Sequence, residues 1–321
     1  MHTDKPKLGL ALSGASSRSV FYIGFLEVLQ ENNIEIDYIA AVSGSTIVAA
    51  AYACGTLNEL KEYVFGMNRG LLLGLLERGS KKGGVYNLDK FEETLFQFTK
   101  NQNFEEVKPH MGFVAVDLDK GEQVVLSMGS IARAARISCT VPGVFQPVQW
   151  GSRTLIDGGL LSIVPADVVK EAGMDIVIGV NIRTRENIFL PYQIKLRRAF
   201  KAIKRVFLFS YAEKLWGTMV RLMEEMDISE YFTNSELDID SSDRQGMFGV
   251  LGRALDIAIA AKKNPHRYDT LKQCDLLIRH KVIVGQKSYE LNQMKQVYEE
   301  GRESAKHFLP EIQKLINNFQ N

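Results

Sequence analysis

The chain has 321 residues, 45% of them hydrophobic and 24% charged, with a formal net charge of +1. That length can bury a large core, as one large or two modest globular domains. The near-neutral balance excludes a chain drawn as a whole to nucleic acid, so any pull toward anions or membranes has to be local.

The first residues, Met1 to Gly14, lack the apolar core of a signal peptide, and no apolar run is long enough to span a bilayer. Lys7 to Ser13 reads as a short strand buried on both faces. It enters a loop of small residues, Gly14-Ala15-Ser16-Ser17-Arg18-Ser19, and a helix follows over Val20 to Gln30. A second apolar run, Ile36 to Val42, turns sharply at Ser43-Gly44-Ser45 into a helix over Thr46 to Ala53. Residues 57–107 read as helices with a glycine-rich break at Gly79 to Gly84. Met111 to Asp117 and Val124 to Ser127 form a hairpin, and Ile131 to Ser138 a helix. Val141 to Phe145 reads as a turn segment, and Arg153 to Ile156 as a strand ending at Asp157-Gly158-Gly159. Pro165 to Ala172 is a short helix and Asp175 to Ile182 a buried strand. Beyond Arg183 the composition changes. Lys201, Lys204 and Arg205 flank an apolar stripe through Leu196, Phe200, Ile203, Phe207, Tyr211 and Leu215, three or four residues apart. Val250 to Ala261 is a helix, Asp275 to Ile278 a strand, and Tyr289 to Phe319 a pair of helices broken near Pro310. Strands and helices alternate as in a parallel α/β sheet with helices on both faces.

Three stretches carry chemistry. Ser43 sits between a strand and a helix, the setting of a nucleophile elbow, although G-x-S-x-G here reads Ala41-Val42-Ser43-Gly44-Ser45. The helix after it would turn its N–H groups and positive dipole end toward a developing oxyanion. A serine before a helix is also a common N-cap. The Gly14 to Ser19 loop offers backbone N–H groups to a phosphate or an oxyanion. It lacks both the lysine of a P-loop and the dinucleotide glycines, which weighs against a nucleotide site. Asp157 ends a strand, where Asp-Gly also favours an ordinary turn. Cys54, Cys139 and Cys274 are odd in number and far apart, which suits a reducing compartment, and the five histidines show no metal-ligand spacing.

Together these stretches resemble the patatin-like phospholipase family in its bacterial cytosolic branch. The matching runs are LGLALSGASSRSVFYIGFLEVLQ, IDYIAAVSGSTIVAAAYACG, ISCTVPGVFQPVQW, LIDGGLLSIVPADVVKEAGMDIVIGV and CDLLIRH, in that order. The resemblance implies a single patatin-like three-layer α/β domain over residues 1–321, with a mostly parallel central sheet and a basic amphipathic helical insertion at about 185–245. It implies Ser43 as nucleophile, Asp157 of Asp157-Gly158-Gly159 as its only protein partner, and Gly14, Ala15, Ser16 and Arg18 as the oxyanion loop. No cofactor or metal is implied. The substrate class would be lipid or acyl esters, in the cytoplasm or at the inner face of an anionic membrane, with no nucleic acid partner. The chain departs from the family at Gly14-Ala15-Ser16, where a glycine run is usual, at Ser19, and at Ala41 and Ser45 around the elbow. These departures keep open a second expectation, a patatin-fold protein that binds lipid or acyl groups with little or no turnover.

Overall fold

The structure, a computed structural model, describes residues 5–78, 83–183, 246–263, 270–281 and 293–319. Its strands are β1 (Leu8–Leu12), β2 (Tyr38–Val42), β3 (Glu77–Arg78), β4 (Gly84–Asn87), β5 (His110–Asp117), β6 (Glu122–Leu126), β7 (Gly143–Phe145), β8 (Val148–Trp150), β9 (Arg153–Asp157), β10 (Ile176–Arg183) and β11 (Leu276–Lys281). Its helices are α1 (Val20–Glu31), α2 (Ser45–Ala53), α3 (Leu57–Phe65), α4 (Arg69–Gly74), α5 (Asp89–Thr99), α6 (Ile131–Ser138), α7 (Ala166–Glu171), α8 (Met247–Lys263) and α9 (Met294–Phe319).

Eight strands form the central sheet in the order β11-β10-β1-β2-β5-β9-β8, with β6 also paired to β5. The run from β11 to β5 is parallel, and β6, β8 and β9 join antiparallel. Alternate side chains leave the sheet on opposite faces. Leu8, Leu10 and Leu12 point with Ile39, Ala41, Ile178 and Val180 into the core beneath α1, α2 and α6. Ala11, Ala40, Val42 and Val177 point the other way, onto Val168 and Val169 of α7. Both faces are therefore covered, which is why these strands read as unbroken apolar runs. On the second face Val116 and Ile156 also meet α8 through Val250, Ala254 and Ile257.

The register brings two distant residues together. On one edge of β5, β2 pairs as far as Val42 opposite Val114. Strand β6 takes the other edge over Phe113 to Asp117, so β9, which pairs with Ala115 to Asp117, continues the edge that β2 leaves. Asp157 lies opposite Ala115, one step beyond Val42 and Val114. The residue after Val42, Ser43, therefore comes up against Asp157.

Three expectations are corrected. Residues 57–107 are not wholly helical, because β3 and β4 fall between α4 and α5. The Val141 to Phe145 turn contains β7, which pairs in parallel with β4 in a small second sheet. The closing helices are one: α9 runs through Pro310. Proline forfeits one backbone hydrogen bond there, but Val297, Tyr298, Gly301, Ala305 and Ile312 remain buried on both sides of it. The sequence expected as a basic amphipathic insertion at about 185–245 lies outside the described residues.

Candidate active site

Ser43 stands at φ +55°, in the left-handed region, between the end of β2 and the start of α2. A non-glycine residue there is uncommon and has to be held by its surroundings. The hold is visible. The Ser43 N–H donates to Ser138 Oγ at 2.8 Å, and Ser138 Oγ donates in turn to Val114 O at 2.6 Å. Thr46 contributes two bonds to the Ser43 carbonyl, from its N–H at 3.0 Å and its hydroxyl at 2.6 Å. The Ser43 side chain does not cap α2; its hydroxyl donates to Asp157 Oδ2 at 2.8 Å. The N-cap alternative is thereby set aside, since Gly44 occupies that position.

Asp157 is 3% exposed. Its Oδ1 accepts the Gly159 N–H at 2.7 Å, and its own N–H donates to Thr140 O at 2.9 Å. One carboxylate oxygen thus does the turn's work, while the other holds the serine. Burial pushes the carboxyl up to about 6, against the opposing pull of the Gly159 N–H and the Ser43 hydroxyl. The same burial, with the neighbouring Asp157 charge, pushes the Cys139 thiol up. A carboxylate near 6 is ionised at neutral pH, yet basic enough to take a proton in a transition state.

The loop after β1 lies directly against the elbow. A Cβ on Gly44 would sit 2.6 Å from Ser16 O and 2.6 Å from Ser19 Oγ, and one on Gly14 would sit 3.4 Å from Ser43 Cβ. Gly44 is therefore required by close approach rather than by an unusual φ. Gly158 is required in the same way, its Cβ position being 2.2 Å from Val114 O. In the loop, Ser16 carries φ +48° and Ala15 φ −145°. The N–H groups of Gly14, Ala15 and Ser16 meet no acceptor among the described residues. Arg18 is 6% exposed, so it is a buried residue rather than a surface charge.

Every residue expected in the site lies in these three stretches. Ala41 and Ser45 stand where the family pattern has glycine, and both are fully buried. Ser45 Oγ accepts the Val42 N–H at 3.0 Å and donates to Val42 O at 2.8 Å. That side chain secures the end of β2, a structural use for a residue in place of glycine. Ser13 is likewise occupied, with Tyr22 and the Ile182 N–H at its hydroxyl. Sequence reasoning did not find Ser138 or Thr140. Both lie in the quoted run ISCTVPGVFQPVQW, but nothing in that run tells which backbone groups they hold. No group of three or more His, Cys, Asp or Glu is placed to hold a metal among the described residues.

Residues 10–170 match the model of the family described as patatin-like phospholipase. The chain belongs to that family. Among curated proteins it is 27% identical over 184 residues to an uncharacterized NTE family protein of Mycobacterium tuberculosis, covering 57% of this chain and 51% of the relative. It is 28% identical over 205 residues to the uncharacterized protein YqhO of Bacillus subtilis, covering 54% of this chain and 70% of that one. A mouse protein, patatin-like phospholipase domain-containing protein 6, is 23% identical over 186 residues, which is 56% of this chain and 14% of its own length. The chain spans about half the length of the first of these relatives. Among solved structures, VipD from Legionella pneumophila covers 98% of this chain and 77% of its own at 13% identity, with a TM-score of 0.39.

Proposed function

We propose that this chain is a serine acyl hydrolase that cleaves ester-linked fatty acyl chains from lipids, phospholipids among them, with Ser43 as nucleophile and Asp157 as its general base. The observation that carries the reading is the 2.8 Å bond from the Ser43 hydroxyl to a buried carboxylate, at an elbow held in the left-handed region. A serine hydroxyl is a weak nucleophile until a base takes its proton. Here Asp157 Oδ2 takes that proton as Ser43 Oγ attacks the ester carbonyl. The carbonyl oxygen becomes an oxyanion, stabilised by the Gly14 to Ser16 N–H groups and the start of α2. Asp157 then returns the proton to the departing alcohol, leaving the acyl chain on Ser43. Water, giving a proton to Asp157, attacks this ester, and Asp157 passes that proton to Ser43 Oγ as the acyl bond breaks, releasing the fatty acid and restoring the free serine.

Family membership supports lipid as the substrate class. No helix among the described residues is long and apolar enough to cross a membrane. We infer that the lipid is met at a membrane surface, with the basic residues Lys201, Lys204 and Arg205 drawn to anionic headgroups. Salt-sensitive co-sedimentation with anionic vesicles, lost on reversing those three charges, tests this contact; salt-insensitive binding removes it.

One observation favours a second reading, an acyl binder with little turnover: Ser16 brings a side chain and a left-handed backbone to the loop. Hydrolysis of a short-chain ester by wild type, beside Ser43→Ala and Asp157→Asn, separates the two. Turnover lost in both variants supports the hydrolase. Ester bound but not cleaved by wild type supports the binder.

A further inference from the structure

The turn that ends α6 grips the backbone on both sides of the site. Its three consecutive residues each reach a different part. Ser138 Oγ accepts the Ser43 N–H at 2.8 Å. Cys139 Sγ lies 3.9 Å from Thr46 Oγ1, whose hydroxyl donates to Ser43 O. The Thr140 carbonyl accepts the Asp157 N–H at 2.9 Å. The turn is itself anchored. Ser138 Oγ donates to Val114 O in the sheet, and the Thr140 hydroxyl donates back to Arg136 O at 3.0 Å. Arg136, one turn earlier, is paired with Asp89 at 2.7 Å and Glu92 at 3.2 Å on α5.

We propose that the α6 exit turn, Ser138 to Thr140, is a clamp that sets the separation of Ser43 and Asp157, with Ser138 as its principal positioning residue. The proposal rests on the reading of Ser43 and Asp157 as the reacting pair. Two features make Ser138 the critical grip. Ser43 carries a left-handed φ that its own side chain does not stabilise, because its hydroxyl is spent on Asp157. The amide next to that strained bond is bound to Ser138 Oγ, a partner 95 residues away along the chain. Ser138 is also fully buried, so water does not replace its oxygen without a cavity forming. Removing that oxygen leaves the Ser43 amide unsatisfied and lets the elbow relax, which lengthens the bond between Ser43 and Asp157. Displacements of about 1 Å at a reacting pair cost on the order of a hundredfold in rate.

The test compares wild type, Ser138→Ala and Ser138→Thr on a soluble ester, with melting temperature measured for each. Ser138→Ala is expected to lower kcat by on the order of tenfold to a hundredfold, with KM within about twofold, because substrate contacts are untouched. The acid limb of its pH–rate profile, measured beside that of wild type, should move to higher pH, since the Ser43 hydroxyl bond is one of the two interactions that hold the Asp157 carboxyl down. Ser138→Thr keeps the hydroxyl and should restore the wild-type limb. A Ser138→Ala enzyme with wild-type kcat, or one whose loss matches its unfolded fraction while the limb stays in place, overturns the clamp. Fluorophosphonate labelling of wild type keeps the two readings apart. No adduct on Ser43 refutes the reacting pair and the clamp built on it, whereas an adduct with an indifferent Ser138→Ala refutes the clamp alone.

Discussion

The elbow and the loop face each other across a few ångströms, and they treat departures from the family pattern differently. At the elbow, Ala41 and Ser45 replace glycines without strain: Ala41 is an ordinary buried strand residue, and Ser45 bonds both backbone groups of Val42. Gly44 of the elbow and Gly158 beside it are glycines whose Cβ would strike backbone oxygens, whereas a Cβ on Gly159 would meet only the Asp157 carboxylate, at 3.1 Å. In the loop, Ser16 occupies a left-handed position that suits glycine, with its side chain half-buried beside the site. The difference teaches that a motif glycine is indispensable where another backbone comes close and replaceable elsewhere. It also locates the cost of this chain's departures in the Gly14 to Ser19 loop rather than at Ser43 and Asp157.

The largest effect should come from the pair. Ser43→Ala and Asp157→Asn are each expected to lower ester turnover by on the order of a thousandfold or more. Equal turnover in either variant would remove the elbow from the chemistry. Asp157→Asn should do something more unusual, which is to stabilise the protein at neutral pH. The Asp157 carboxyl is raised to about 6 in the folded state, so folding binds its proton more tightly than the unfolded chain does. The stability this group contributes is complete below the ordinary Asp value of about 4 and is lost as pH rises through 6. Asparagine escapes that loss, so the variant should exceed wild type by roughly 2–3 kcal/mol at pH 8 and lose the advantage near pH 4. Denaturant midpoints at the two pH values measure it. A variant less stable than wild type at both would mean that the carboxylate is welcome in its charged form.

Next come the glycines of close approach. Gly158→Ala would drive a methyl group to 2.2 Å from Val114 O, a backbone atom with little freedom to move. It is expected to cost on the order of 3 kcal/mol. Gly44→Ala meets Ser16 O and should push the loop from the elbow, lowering kcat more than stability. If both alanines were tolerated, the contrast between the two regions would collapse. The smallest effects belong to the loop. Ser16→Gly removes a left-handed side chain and should raise turnover several-fold, with stability changed by no more than about 1 kcal/mol. Ala15→Gly should do less, because φ −145° is open to alanine. A larger gain from Ala15→Gly than from Ser16→Gly would reverse this account of the loop.

Much of the fold was legible because its central strands are buried on both faces. The runs at Lys7 to Ser13, Ile36 to Val42, Met111 to Asp117 and Asp175 to Ile182 became β1, β2, β5 and β10. Strands of two to four residues, β3, β4, β7 and β8, left no alternation to read, and β4 and β7 pair across nearly sixty intervening positions. Pro310 was read as a break because local propensity favours one, whereas Ala305 and Ile312 keep the helix packed across it. In the site, the residues of each motif could be named from the sequence. The register that joins them could not, because Ser43 and Asp157 come from strands far apart in sequence that share β5 as a neighbour. Of Ala15 and Ser16, both singled out as departures, only Ser16 takes a positive φ. Ser138 was invisible because its role is a bond from side chain to backbone over 95 residues, with no pattern of its own.

The most direct test of the reacting pair is fluorophosphonate labelling at pH 5 and pH 7, with the modified peptide identified by mass spectrometry. A base near 6 is about one-tenth ionised at the lower pH and about nine-tenths at the higher, so labelling should quicken by roughly tenfold. The adduct should lie on Ser43 and be absent from Asp157→Asn. Labelling at Ser13, Ser16 or Ser45, or at Ser43 with no dependence on pH or on Asp157, would contradict the Ser43–Asp157 mechanism.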